Sequence, residues 1–301
     1  MHCLPREIDQ LERILDKLHE SSFYLDENNN KVIIDVTLNL NNIFTNWEKS
    51  ILDKKYFINK FNNLKSKSSW AYKTLFDADE NEKCLGINDK RRNSINHLNP
   101  EVDYIMYLDL DVFFSKVNLS LAFQSFNQIP NQYHIISSEL TKLWDSSWDI
   151  ISNINFKDKS YDFWKSIDPY SIEYHVSVNG NFNIKPINTI KFGGGWFNIF
   201  STNLLKFIGI PDSLGPYGLD DTYIMEACKM MKSKNYDVNQ YILEGAVVCE
   251  NIKYELYNYN PYEKYITDNS IEKQSKIFKQ KWRDNASKHF KTELENFYNK
   301  I

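Results

Sequence analysis

Residues 104–114 read Tyr-Ile-Met-Tyr-Leu-Asp-Leu-Asp-Val-Phe-Phe, an apolar and aromatic run interrupted by two aspartates one residue apart. The run is short and follows an Asn-Pro pair, so it predicts a buried strand, not a helix. On an extended chain, residues i and i+2 project from the same face. Asp109 and Asp111 would therefore face one small volume. Two like charges held that close are unfavourable unless a positive group lies beside them. A divalent cation with oxygen ligands meets that need. An isolated Asp-X-Asp is more often a turn. The strand ahead of this one and a second acidic pair downstream, Asp220-Asp221, give it weight.

Composition narrows the function classes. With 301 residues, 42% hydrophobic and 15% aromatic, the chain can build a sizeable core. Its net charge of −4 lacks the basic surplus of a general nucleic-acid binder. Cys3, Cys84, Cys228 and Cys249 are scattered and form no Cys-X-X-Cys pair, which predicts free thiols in a reducing cytoplasm. No stretch has the length of a membrane span or the pattern of a signal peptide, so the expected location is cytoplasmic.

Along the chain, Ile8, Leu11, Ile14, Leu15 and Leu18 share one helical face over residues 5–19. Residues 31–40 are rich in β-branched side chains and predict a strand suited to a parallel sheet covered on both sides. A helix over 41–64, a strand over 70–76 ending at Asp77, and a helix over 89–97 opening with Asp89-Lys90-Arg91-Arg92 follow. After the central strand come a helix over 119–126 and a strand over 133–138. Asn-Gly-Asn at 179–181 signals a hairpin. Helices over 203–208 and 222–232, a strand over 241–249 and a helical tail from 270 complete the reading. Alternating strands and helices predict an α/β fold. The expected organisation is one domain over 1–255, with its core at about 31–255, and a helical extension over 256–301.

Three features stand in order: the basic helix start at 89–92, the strand ending in Asp109-Leu110-Asp111, and a Gly-Gly-Gly-Trp segment at 193–196 followed by Gly-Leu-Asp-Asp at 218–221. Together they resemble the nucleotide-sugar glycosyltransferases of the GT-A fold, most like the family 2 group. The resemblance covers roughly residues 31–255 and leaves out the first helix and the tail. It implies a Rossmann-like mixed sheet flanked by helices. It also implies transfer of a sugar from a nucleotide-diphospho-sugar, a UDP-sugar foremost, to a glycan or other hydroxyl acceptor, with Mn2+ or Mg2+ as cofactor. By that resemblance Asp109 and Asp111 hold the metal and, with Leu110, face the diphosphate. Lys90, Arg91 and Arg92 would add positive charge there. Asp221 matches the general base of inverting members, and Asp220 stands at the acceptor-holding position. Gly194 and Gly195 let backbone approach the sugar, and Trp196 offers a stacking face. Thr37, Asn39 and Asp77, at strand ends, mark the nucleoside pocket by position.

Each of these residues has a plainer role open to it. The basic trio can be a solvated helix face, one of Asp220 and Asp221 an N-cap, and Trp196 a core residue. The sequence also departs from the family pattern. No His follows the last strand in Val-Val-Cys-Glu-Asn at 247–251, where either Glu250 or the phosphates and water would complete the metal's shell, and the first strand lacks a Pro-X-X-Asn ending. A rival enzyme reading is a haloacid dehalogenase-type phosphatase, with Asp109 as nucleophile, Asp111 as acid/base, Ser137 in its second motif and Asp220-Asp221 as its acidic fourth. A third reading is a non-catalytic sugar-nucleotide or glycan-binding protein. The basic, amphipathic segment at 277–283 suits packing on its own domain first and contact with a membrane surface second.

Overall fold

The computed structural model describes residues 1–26, 31–45, 47–48, 50, 52–81, 83–97, 101–110, 112–114, 119, 122–123, 126, 129, 132–144, 184–191, 197–251 and 269–301. They form two sheets. In the first, β1 (His2–Cys3), β2 (Ile33–Asn39) and β3 (Lys73–Asp79) run parallel in that order. Parallel neighbours need crossover connections. Helices α1 (Ile8–Asp26) and α2 (Lys54–Lys67) supply them. The second sheet has six strands. Its path runs β4 (Tyr104–Leu108), β8 (Phe197–Ser201), β6 (Tyr133–Trp144), β9 (Val238–Asn251) and β5 (Val112–Phe113), with β7 (Ile184–Ile187) also paired to β9. All its pairings are antiparallel except β6 with β9. Further helices among the described residues are α3 (Ile87–Asn96), α4 (Thr202–Ile208), α5 (Asp220–Ser233) and α6 (Asn269–Lys300). The fold is mixed α/β.

Side-chain spacing accounts for the packing. Ile34, Val36 and Leu38 alternate onto one face of β2 and are buried with Ile8, Leu11 and Ile14 of α1. Phe57, Phe61 and Leu64 sit at i, i+4 and i+7 on α2 and close the same core. A second cluster joins Leu204, Leu205 and Ile208 of α4 to Tyr223, Ala227 and Met231 of α5.

Two predicted elements shift. The helix expected over 41–64 begins only at Lys54. Asn41 Oδ1 accepts the Ile43 N–H at 2.8 Å and turns the chain first. Asp53 then caps α2, accepting the Tyr56 N–H at 2.8 Å. Short polar side chains that bond nearby backbone compete with helix in this way. The strand expected over 70–76 lies three residues later, at Lys73–Asp79. The chain turns first, the Ser68 carbonyl accepting from the Ala71 N–H at 3.0 Å while Trp70 stacks on His19 at 5.1 Å. The 133–138 strand extends to Trp144 and pairs with β9 through a register shift near Ser138. The hairpin expected at 179–181 lies outside the described residues.

The tail forms a helix that packs on its own domain. Ala286, Leu294 and Phe297 are buried on it, and Tyr223 of α5 lies 6.4 Å from both Phe290 and Phe297. Glu293 accepts a hydrogen bond from Ser213 Oγ at 2.6 Å. Nearer its start, Trp282 meets Phe44 at 6.4 Å and Lys279 lies 5.5 Å over the Tyr217 ring. Among the described residues no helix is long and apolar enough to cross a membrane. Cys3, Cys84 and Cys228 are buried free thiols, and burial pushes the Cys84 thiol up to about 12.

Candidate active site

The site is assembled where α3 meets the loop ahead of α5. Gly86 precedes α3 in extended conformation, and a Cβ there would come within 2.2 Å of the Pro216 carbonyl oxygen. Only glycine allows that approach. The Asn88 N–H donates to Pro216 O at 3.0 Å, and its side-chain amide donates to Gly218 O at 3.1 Å. Asp89 accepts from the Leu85 and Gly86 N–H groups and caps the helix. Gly86→Ala is expected to cost about 1–3 kcal/mol, because two backbones must part to admit the methyl. A urea midpoint unchanged from wild type would show the contact to be loose.

The second wall is the start of α5. Gly218 (φ 95°) and Leu219 (φ 62°) take the left-handed region, unusual for a leucine. That turn places Asp220 and Asp221 in the first helical turn, with Leu219 as the N-cap. Neither aspartate is therefore the cap residue. Carboxylates in a first turn complement the helix dipole. Asp221 is half-exposed, and its Oδ1 accepts the Thr222 N–H at 2.6 Å.

Arg91 joins these parts. It is 5% exposed, points from α3 into the interior, and donates to Asp220 Oδ2 at 2.5 Å and to Asp109 Oδ1 at 3.2 Å. Its guanidinium carbon lies 4.8 Å over the Tyr107 ring, two residues before Asp109 on β4. Burial opposes the charge on Arg91, but Asp220 and Asp109 together raise its pKa above the ordinary value. Asp109 goes the other way from a usual ion-paired carboxylate. Burial raises it, Arg91 lowers it, Asp220 and Asp221 raise it again, and it stands at about 6. Arg91 is shared between two carboxylates, Asp109 and Asp220, and a second cation would favour their charged forms.

The turn after Asp109 is held from the far side by a residue that sequence reasoning missed. Arg13 of α1 donates to Leu110 O at 3.1 Å and to Val112 O at 2.7 Å. Its sequence signal was a basic residue beside the buried stripe Leu11, Ile14, Leu15. Asp35 was missed as well. It pairs with Lys90, and the Ser94 hydroxyl donates to its other oxygen at 2.9 Å. Burial would raise the Asp35 carboxyl, but Lys90 and the amino terminus outweigh it and hold it below its usual value.

The remaining expected residues divide. Thr37 and Asp77 face each other in the β2–β3 ladder and, with Arg91, line a cleft of about 1920 Å³. Asn39 is fully buried and donates to Cys84 O at 2.8 Å, while Asp79 accepts from the Cys84 N–H at 2.7 Å. Both hold the loop that leads into α3. Arg92 is bound to Asp89, Asp212 and the carbonyls of Ile210, Pro211 and Gly215, and so ties α3 to the 210–215 segment. None of the basic trio lies on a solvated face.

Asp111, Gly194, Gly195 and Trp196 lie outside the described residues. Among those described, no three His, Cys, Asp or Glu side chains gather into a metal-binding group. The β5–β9 ladder sets Glu250 opposite Val112, the residue that follows Asp111 in sequence. Compared with known proteins, the chain matches no family model and no curated protein.

Proposed function

We propose that the chain is a metal-dependent glycosyltransferase with a GT-A-like core, acting in the cytoplasm on a nucleotide-diphospho-sugar, a UDP-sugar foremost, and a hydroxyl acceptor. The observation that carries this reading is Arg91. It ties the end of β4 to the start of α5, so the two acidic motifs of the sequence, about 110 residues apart, meet at one buried guanidinium.

The residues fit a divalent ion such as Mn2+ or Mg2+ held by Asp109 and Asp111, because Arg91 is shared between two carboxylates, Asp109 and Asp220. When bound, such an ion supplies charge stabilisation for the departing diphosphate. The chain's own residues do the rest. Arg91 keeps Asp109 in place, and Asp220 keeps Arg91 in place. Asp220 was expected to hold the acceptor; buried against Arg91, it acts in this proposal as a positioning residue. Asp221, half-exposed beside it, accepts the proton of the attacking hydroxyl. Thr37 and Asp77 lie toward the C-terminal ends of parallel strands, where ligands of open α/β sheets bind. The phosphatase reading places its late acidic pair at a strand end, whereas Asp220 and Asp221 open a helix. It also needs Ser137 in the site, but Ser137 is buried in the sheet, donating to Asn198 and accepting from Gln240.

The test is thermal denaturation with UDP-, GDP-, dTDP- and CMP-sugars, with and without Mn2+. A ligand at about 100 times its Kd stabilises by about 2.7 kcal/mol. The expected result is stabilisation by one nucleotide class that depends on Mn2+ and disappears in Asp111→Ala. Absence of any shift across the panel would overturn the reading.

A further inference from the structure

We propose that Arg13 is a positioning residue for the metal pair: from α1 it fixes the backbone on both sides of Asp111, and without it the divalent ion is held more weakly. The proposal rests on the reading of Asp109 and Asp111 as metal ligands.

The place of the two aspartates in the fold points there. β4 ends at Leu108 and β5 begins at Val112, and the three residues between them carry both carboxylates. β4 and β5 stand at opposite ends of the strand path in the second sheet, with β8, β6 and β9 between them. The link leaves one ladder before the next begins, and Leu110 belongs to neither. Ladder hydrogen bonds fix the backbone of a strand. On this link an arginine takes their place. Arg13 Nη2 donates to Leu110 O at 3.1 Å and to Val112 O at 2.7 Å, the carbonyls of the residues that flank Asp111 in sequence. The side chains of the same two residues are buried in the cluster that holds Leu11 and Ile14 of α1.

Two helices therefore grip the link, each beside one of the proposed ligands. Arg91 of α3 holds Asp109 by its carboxylate. Arg13 of α1 holds the residues around Asp111 by their carbonyls. A small divalent ion such as Mg2+ demands near-ideal geometry from its ligands. Backbone that is loose before the ion arrives must be ordered when it binds, and the lost conformational freedom weakens binding. Arg13 supplies that order beforehand. Its planar head directs its N–H groups in a rigid fork, which a lysine on a flexible stem does not. The resemblance that suggests the metal leaves α1 out, so it assigns Arg13 no part.

The experiment titrates Mn2+ into the full chain and reads the free ion by electron paramagnetic resonance. Far-UV circular dichroism checks that each variant is folded. The wild type is expected to take up Mn2+, and Asp111→Ala is expected to lose that uptake. Arg13→Met is expected to raise the Kd about 10–100-fold, the usual loss when a group that orients a metal ligand is removed. Arg13→Gln, too short to reach both carbonyls, is expected to do the same and serves if the methionine variant does not fold. Arg13→Lys keeps the charge and the donors, and is expected to recover part of the affinity. A purely structural role would lower the urea midpoint of Arg13→Met and Arg13→Gln and leave their Mn2+ affinity at the wild-type value. That result would overturn the proposal while Asp109 and Asp111 kept their role. Uptake that survives Asp111→Ala, or no uptake by the wild type at about 1 mM Mn2+, would overturn the metal site and this proposal with it.

Discussion

Arg91→Met is expected to lower the stability of the protein by about 3–5 kcal/mol, the range for breaking a buried ion pair from one side. The loss arises because Asp220, with a side chain only 4% exposed, loses its partner. Asp109 loses the same partner and retains two acidic neighbours. The measurement is urea denaturation, with the midpoint falling and the slope unchanged. The double variant Arg91→Met with Asp220→Leu is expected to recover most of the loss, because it removes both buried charges. Arg91→Lys is not a conservative control, since a single ammonium cannot span two carboxylates as a guanidinium does. A single Arg91→Met variant as stable as wild type would show that the two motifs are held together by something else.

Asp221→Ala is expected to reduce the turnover of sugar transfer by about 10²–10⁴-fold, the usual contribution of a general base. The first-turn charge it removes is worth about 0.3–1 kcal/mol to the helix, so the fold is retained. Metal-dependent nucleotide binding, read by the same thermal shift, is expected to persist. The contrast is with Asp111→Ala, which is expected to lose both. No turnover in the wild type would favour the binding-protein reading, whereas Asp221→Ala with undiminished turnover would remove Asp221 as the proton acceptor of the mechanism. A sugar transferred with retained configuration would remove it too, because an attack assisted by a base from the opposite side inverts the carbon.

What could be read from the chain follows from the range of each interaction. β2 announced itself through Val32-Ile33-Ile34 and Val36, since β-branched packing is a local signal. The start of α2 was misplaced because the apolar residues Phe44 and Trp47 fit helical spacing. The deciding bonds, at Asn41 and Asp53, are single side-chain contacts that periodicity does not register. In the site, the sequence picked out Arg91, Asp109 and Asp220 as residues. That one of them grips the other two was beyond it, with partners 18 and 129 positions away. The same distance hid Arg13, whose carbonyl partners lie 97 and 99 residues on.

The docking of α6 has a consequence for the order in which the molecule is completed during synthesis. The loop that aims Asp220 and Asp221 rests on α6 through Ser213 with Glu293, Asn285 with the Ser213 carbonyl, and Gly218 against Arg283. Ribosomes add about 5–20 residues per second and release early segments first. The strands and α5 thus leave the ribosome some seconds before the helix that braces them. A nascent chain of this protein would thus form the cluster of α1, α2 and β2 before the segment ahead of Asp220 is braced, and a chain cut ahead of residue 283 would lack Ala286, Leu294 and Phe297 of the second cluster.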